Sequence, residues 1–121
     1  MRNFKELKVW HKSHELTVRI YQATRSFPRE ELYGLTSQIR RACASIPANI
    51  AEGCGRSSVL ELGHFLNVAM GSASELEYHL LLARDLNFLL QPEYENLATN
   101  LSEVQRMLAA YIQKIKQEHK S

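Results

Sequence analysis

The chain has 121 residues, of which 45% are apolar and 23% are charged. This length suits one domain with a substantial core, and the composition argues against disorder. With only five glycines and three prolines, the chain also lacks the frequent turns of an all-β fold. We therefore expect a single all-α domain.

The formal net charge of +2 conceals an uneven distribution along the chain. Residues 1–60 carry ten Lys and Arg against five Asp and Glu, whereas residues 61–121 carry five against eight. This asymmetry predicts either a basic working surface or complementary surfaces between protomers. The charged start of the chain and the lack of an apolar run of about 20 residues predict a cytoplasmic protein with no membrane partner.

The first predicted helix spans about residues 7–26. Side chains at spacings of three and four predict its inward face: Trp10, His14, Thr17, Ile20, Tyr21, Thr24 and Phe27. A mainly basic stripe follows the same rhythm about 200° away: Lys5, Lys8, Lys12, Glu15, Arg19 and Gln22. Phe27-Pro28 ends this helix, because a residue before proline avoids the helical conformation.

The second predicted helix spans about residues 33–53 and has a long apolar seam. Its members are Leu35, Ile39, Ala42, Ile46, Ile50 and Gly53. Pro47 lies within the pattern and predicts a kink without a break, since the periodicity continues through it. Gly53 and Gly55 are expected to close the helix, because glycine easily adopts the left-handed conformation past a helix end. If Cys43 and Cys54 share this helix, they lie about 16 Å apart, too far to form a disulfide, and we expect reduced structural thiols.

The last two helices are predicted at about residues 58–90 and 92–117. Ser58 and Glu61 form a capping box at the start of the third helix, which is the longest and most apolar of the four. Pro92 suits the first position of the fourth helix. Short connections make successive helices antiparallel neighbours. The expected architecture is an antiparallel up-and-down four-helix bundle in a single domain, 1–121.

A search for catalytic or metal-binding motifs is largely negative. Four-helix bundles can hold two metal ions with two Glu-x-x-His motifs, but only Glu61 and His64 form one. His11 and His14 could share a helix face, yet a zinc site requires three or four ligands. Nucleophile, phosphate-loop and dinucleotide motifs are absent. The sequence therefore predicts no enzyme, no metal and no cofactor.

The second helix also carries a polar series at spacings of three and four. It comprises Arg41, Ser45, Asn49, Glu52 and Arg56. One interpretation is a solvated helix face. The other is a polar seam that fixes packing or assembly, because buried polar pairs can set register at some cost in stability.

Residues 27–53 resemble a known family. The run from Phe27 to Ala42, followed by Ser45-Ile46-Pro47-Ala48-Asn49-Ile50-Ala51-Glu52-Gly53, is similar to the bacterial 23S rRNA intervening-sequence proteins. Further likeness extends over nearly the whole chain, at Phe4, Leu7, Trp10, Tyr21, Phe65, Leu66, Ala69, Gly71, Ser72, Glu75 and Leu76. The resemblance implies a ring-like homopentamer and a fold similar to accessory proteins of diversity-generating retroelements, which bind nucleic acid and a reverse transcriptase. The resemblance implies no established biochemical activity.

The resemblance also bears on particular residues. The positions that match the strongest family motif are Arg41, Ser45, Pro47, Asn49, Glu52 and Gly53, which are expected to shape the core and the assembly. The two cysteines are outside that motif.

We interpret the chain as a non-enzymatic, oligomeric protein that binds RNA or DNA without sequence specificity. The predicted contacts are Lys5, Lys8, Lys12 and Arg19, joined by Arg2, Arg25, Arg40 and Arg56. Such contacts to phosphates are salt-dependent, and a ring would multiply weak ones. The main alternative is a scaffold or accessory protein that docks a partner protein, with no direct nucleic-acid contact.

Overall fold

The computed structural model describes residues 2–120, which form four long helices. They are α1 (Lys8–Ala23), α2 (Leu35–Cys54), α3 (Val59–Asp85) and α4 (Gln91–Lys120). The described chain contains no strand. α1 packs against α2 and α4, and α3 packs against the same two helices. The predicted all-α four-helix bundle is confirmed.

Most of the core comes from the apolar seams of α2, α3 and α4, and α1 adds Val9, Leu16 and Ile20. The α2 side chains Leu35, Ile39, Ala42, Ile46 and Ile50 are buried, as are Leu97, Leu101, Val104, Leu108, Ile112 and Ile115 of α4. α3 contributes Leu62, Leu66, Ala69, Ala73, Leu76, Leu80 and Ala83. These seams agree with the helical periodicity of the sequence, because large aliphatic residues at spacings of three and four can share only one face.

The inward face of α1 only partly matches the predicted one. The buried residues within α1 are Val9, Ser13, Leu16 and Ile20. His14 is exposed and stacks on Trp10 with ring centroids 5.1 Å apart, and Tyr21 is 43% exposed. Ile20, Thr24 and Phe27 of the predicted face are buried, so the prediction was partly right. The aromatic residues shifted it towards one edge of the core face, which contains the small polar Ser13.

α3 is shorter than predicted and ends at Asp85 instead of residue 90. Asn87 has a positive φ of 64°, its amide donates to the carbonyl of Arg84, and the amide of Phe88 donates to that of Ala83. These two bonds form a Schellman motif, which terminates a helix at a left-handed residue. Leu86 and Leu90 therefore lie in the connection, and α4 is the longest helix.

The predicted left-handed helix end at Gly53 and Gly55 is wrong, although Gly53 is buried in the predicted seam. Gly53 lies inside α2, and the cap residue Gly55 has a right-handed φ of −82°, so neither glycine adopts the left-handed conformation. A Cβ on Gly53 would lie 2.9 Å from Leu62 Cδ1 and 3.0 Å from Phe65 Cβ. Gly53 is therefore required for the close approach of α2 to α3.

Pro47 is buried inside an unbroken α2. Since proline has no amide hydrogen, the carbonyl of Cys43 has no donor at the position where a helix normally supplies one. The hydroxyl of Thr17, on α1, donates to this carbonyl at 3.4 Å as well as to the carbonyl of Ser13 at 2.8 Å. Because a hydroxyl has one hydrogen, the shorter bond to Ser13 dominates and the contact between Thr17 and the Cys43 carbonyl is the weaker of the two.

Side chains accept from backbone amides at the starts of α2 and α3. The Ser58 hydroxyl accepts from the Glu61 amide at 3.1 Å, which is the serine half of the predicted capping box. At α2, the Glu31 carboxylate accepts from the Leu35 amide at 3.0 Å, so the helix begins two residues later than predicted. Among residues 2–120, no helix is both long and apolar enough to cross a membrane.

Candidate nucleic-acid interface

An open groove runs between α1 and α4, and we call it the α1/α4 groove. It consists of two depressions of about 650 and 250 Å³ that share Lys8 and Met107. Because the helices are antiparallel, the start of α1 lies beside the last third of α4. The basic stripe of α1 therefore borders α4 instead of facing directly away from the core.

The charges along this groove are only partly compensated. Lys12 Nζ lies 3.5 Å from Glu103 Oε1, and Arg19 donates to the Asn96 amide oxygen at 3.1 Å. Lys8 and Lys114 have no ion pair or hydrogen bond with another described side chain. The groove thus presents two free ammonium groups together with one that is weakened by a carboxylate.

Lys114 was missed by the sequence analysis. It belongs to the half of the chain with a net negative charge, where no basic stripe is apparent. The predicted topology could have indicated Lys114, since antiparallel packing brings the end of α4 beside the start of α1.

The remaining predicted cations lie elsewhere. Lys5 precedes α1, 5.9 Å from the centroid of the Phe4 ring, and Arg25 is exposed in the short 3₁₀ turn after α1. Arg40 donates to the Thr24 hydroxyl at 2.8 Å and lies over the Tyr21 ring. Arg56 pairs with Glu52 at 3.5 Å beyond the end of α2. The predicted set does not form one continuous surface.

Arg2 is engaged in internal contacts. Its guanidinium donates to the Glu118 carboxylate at 2.6 Å and to the Tyr111 hydroxyl at 3.2 Å. These hydrogen bonds raise the pKa of Arg2, with the Glu118 bond as the largest cause. Its backbone amide donates to the Cys54 carbonyl at 2.8 Å. Arg2 therefore fastens the start of the chain to the ends of α2 and α4.

The family-like motif of α2 forms a polar series against α3, which we call the α2/α3 ladder. Arg41 contacts Glu75 at 3.3 Å, and the hydroxyls of Ser45 and Ser72 lie 2.8 Å apart. Asn49 donates to the carbonyl and to the hydroxyl of Ser45 at 2.8 and 2.9 Å. Two of these contacts join the helices within one protomer, so this part of α2 is not only a solvated face.

The remaining motif residues have different surroundings. Glu52 is half exposed and pairs with Arg56, which lies beyond the end of α2, while Pro47 and Gly53 are buried. The exposed Arg41–Glu75 pair contributes about 0–1 kcal/mol. This pair therefore adds little to the stability of the fold.

The two cysteines are buried free thiols. Burial raises the pKa of Cys43 to about 11, opposed by its hydrogen bond with Thr17. Burial also raises the pKa of Cys54, opposed by the charge of Arg2. Because the thiolate is the reactive form, neither thiol is activated as a nucleophile.

The histidines do not converge on a metal site. His11 Nε2 lies 2.6 Å from the Lys5 carbonyl oxygen, and His79 Nδ1 lies 3.9 Å from Glu75 Oε2. Over residues 2–120, no group of three or more His, Cys, Asp or Glu side chains could hold a metal ion. The single Glu-x-x-His motif, Glu61 and His64, is exposed.

Fold and surface together define a helical-bundle protein with a partly basic groove and a polar ladder between its second and third helices. The family model of the 23S rRNA-intervening sequence protein matches residues 5–110, and the chain belongs to this family. It is also similar to a crystal structure described as a protein with unknown function from the S23 ribosomal protein family of Bacteroides thetaiotaomicron VPI-5482. That likeness has a TM-score of 0.81 and 30% identity, and covers 87% of this chain and 95% of the other.

Neither description names an enzymatic activity. No curated protein matches the sequence.

Proposed function

We propose that this protein is a non-enzymatic, cytoplasmic nucleic-acid-binding module that acts as a homo-oligomer. The observation that supports this best is the α1/α4 groove, where Lys8 and Lys114 are free of carboxylate partners and Lys12 lies close by. Ammonium groups along a groove favour phosphates, and they bind without reading the bases.

The arrangement predicts weak binding by one protomer. Glu15 and Glu103 also line the groove, so its positive electrostatic potential is much smaller than that of a uniformly basic surface. A homo-oligomer, for which the family resemblance suggests five copies, would repeat the groove and raise the effective concentration of each further contact. Oligomer formation is therefore part of the proposal, and light scattering that gave one protomer mass would contradict it.

The direct test is fluorescence anisotropy with labelled single-stranded RNA and DNA at several salt concentrations. Wild-type binding should weaken steeply as salt rises, with comparable affinity for unrelated sequences. The double variant Lys8→Gln/Lys114→Gln should reduce the slope of log affinity against log salt by about 0.7 per lost phosphate contact on a single strand. No binding at low salt, or binding indifferent to salt, would contradict the proposal.

The matched control is Arg29→Gln/Arg106→Gln. Both arginines are exposed and lie outside the groove, and their replacement removes the same net charge. The control should bind as the wild type does. An equal loss in both double variants would show that net charge, and not the groove, supports binding.

A protein scaffold is the second candidate, supported by the outer face of α3. Leu60, Val68 and Tyr78 are 69%, 40% and 59% exposed, and exposed apolar surface is a feature of protein interaction sites. Such a face suits a partner protein or another copy of this chain. Capture of one partner in stoichiometric amount, unaffected by nuclease, would favour this function over nucleic-acid binding.

A further inference from the structure

A second groove lies between the first two turns of α3 and the last two turns of α4, and we call it the α3/α4 groove. Its volume is about 380 Å³, within the usual range for small-molecule sites. Its apolar side chains are Val59, Leu60 and Ile115. Leu60 is 69% exposed at the rim, whereas Ile115 is only 2% exposed and forms the floor.

Space for a ligand exists because residue 63 is glycine. A Cβ on Gly63 would have no atom within 4 Å, so the helix surface at this point is open. Any larger side chain would enter the groove. The same residue type occurs two turns later at Gly71, which has equally open surroundings but does not line this groove.

The rim of the groove is polar and basic. It carries the ammonium groups of Lys116 and Lys120 and the imidazoles of His64 and His119. None of the described residues that line it is a carboxylate. Cations near a helix C-terminus offset the negative end of the helix dipole, but that effect does not account for the open apolar floor beside them.

We propose that the α3/α4 groove binds a small amphipathic anion, with an aliphatic chain on the apolar floor and a carboxylate or phosphate head at the lysines. The apolar floor selects against inorganic phosphate, and the cations select against a neutral alcohol. This site is separate from the α1/α4 groove and does not depend on nucleic-acid binding.

The test uses octanoate and octyl phosphate as probes. Octanol, which lacks the charged head, and inorganic phosphate, which lacks the aliphatic chain, serve as controls. Two-dimensional NMR of the histidine rings should show saturable shifts of His64 and His119 with both amphipathic anions, with a Kd on the order of 1 mM or lower. Octanol and inorganic phosphate should each bind at least about tenfold more weakly. The relative affinities of octanoate and octyl phosphate identify the preferred head group.

Two matched pairs of variants locate the site. Gly63→Leu should weaken octanoate binding by about tenfold or more, whereas Gly71→Leu should leave it unchanged. Lys116→Gln/Lys120→Gln should reduce octanoate affinity to that of octanol, and Lys114→Gln, in the other groove, should have no effect. Leu60→Gln should also weaken octanoate binding. It replaces Gly63→Leu as the test if that variant does not fold, because the Leu60 side chain is largely exposed and its substitution should not disturb the core.

Absence of saturable histidine shifts, or equal affinity of Gly63→Leu and wild type, would overturn the proposal. Inorganic phosphate binding as tightly as octyl phosphate would also overturn it, because the apolar floor would then contribute nothing.

Discussion

Gly53→Ala is expected to destabilise the protein through a steric conflict between α2 and α3. The added methyl would lie 2.9 Å from Leu62 Cδ1, 3.0 Å from Phe65 Cβ and 3.3 Å from the Leu62 carbonyl oxygen. The last two atoms belong to the backbone or are attached directly to it, so relief requires the helices to separate. Overpacking of this kind costs about 1–3 kcal/mol.

The opposing contribution is helix propensity, which favours alanine over glycine by about 1 kcal/mol. Gly71→Ala supplies the matched control, because it gives the same gain in propensity within α3 while its Cβ has no atom within 4 Å. The free energy of unfolding of Gly53→Ala should therefore fall about 1–3 kcal/mol below that of Gly71→Ala.

Urea unfolding followed by circular dichroism measures this difference. The experiment should be repeated at several protein concentrations, because self-association makes apparent stability depend on concentration. If Gly53→Ala were as stable as Gly71→Ala, the close approach of α2 and α3 at this glycine would not constrain the fold.

Two further predictions concern backbone strain and thiol titration. Asn87→Gly should stabilise the protein slightly, because glycine adopts a φ of 64° without strain. Asn87→Ala should destabilise it by about 1 kcal/mol, because alanine tolerates this φ poorly. Equal unfolding midpoints of the two variants would refute this. The raised pKa of Cys43 contributes stability that is complete below the unfolded thiol pKa of 9.0 and is lost as pH rises towards about 11. The unfolding free energy of Cys43→Ala should therefore decline less over this pH range than that of the wild type, and parallel curves would contradict the assignment.

Helical periodicity predicted most of the fold. The seams of α2 and α4 consist of leucine, isoleucine and valine, whose burial is favourable in almost any bundle. The core face of α1 was only partly predicted, because it includes the polar Ser13 while Trp10 and Tyr21 lie beside it. The end of α3 was missed because the apolar pattern continues through Leu86 and Leu90, although Asn87 was an available stop signal.

The candidate interface was less predictable, since it depends on pairs that are distant in sequence. Spacing along α1 identified Lys8 and Lys12, but neither the Glu103 partner of Lys12 nor the position of Lys114 follows from a single helix. Charge compensation is a property of packed helices, so a basic stripe in the sequence overstates the cationic surface that remains after folding.

The bond from Thr17 to the Cys43 carbonyl affects how the domain acquires its structure. In an ordinary helix that carbonyl would accept a hydrogen bond as soon as the segment coiled, with no help from the rest of the chain. Here Pro47 supplies no amide hydrogen to it, and Thr17 reaches this carbonyl only where α1 is in contact with α2. The middle of α2 in isolation therefore lacks one helical hydrogen bond, and the side chain that donates to this carbonyl comes from α1.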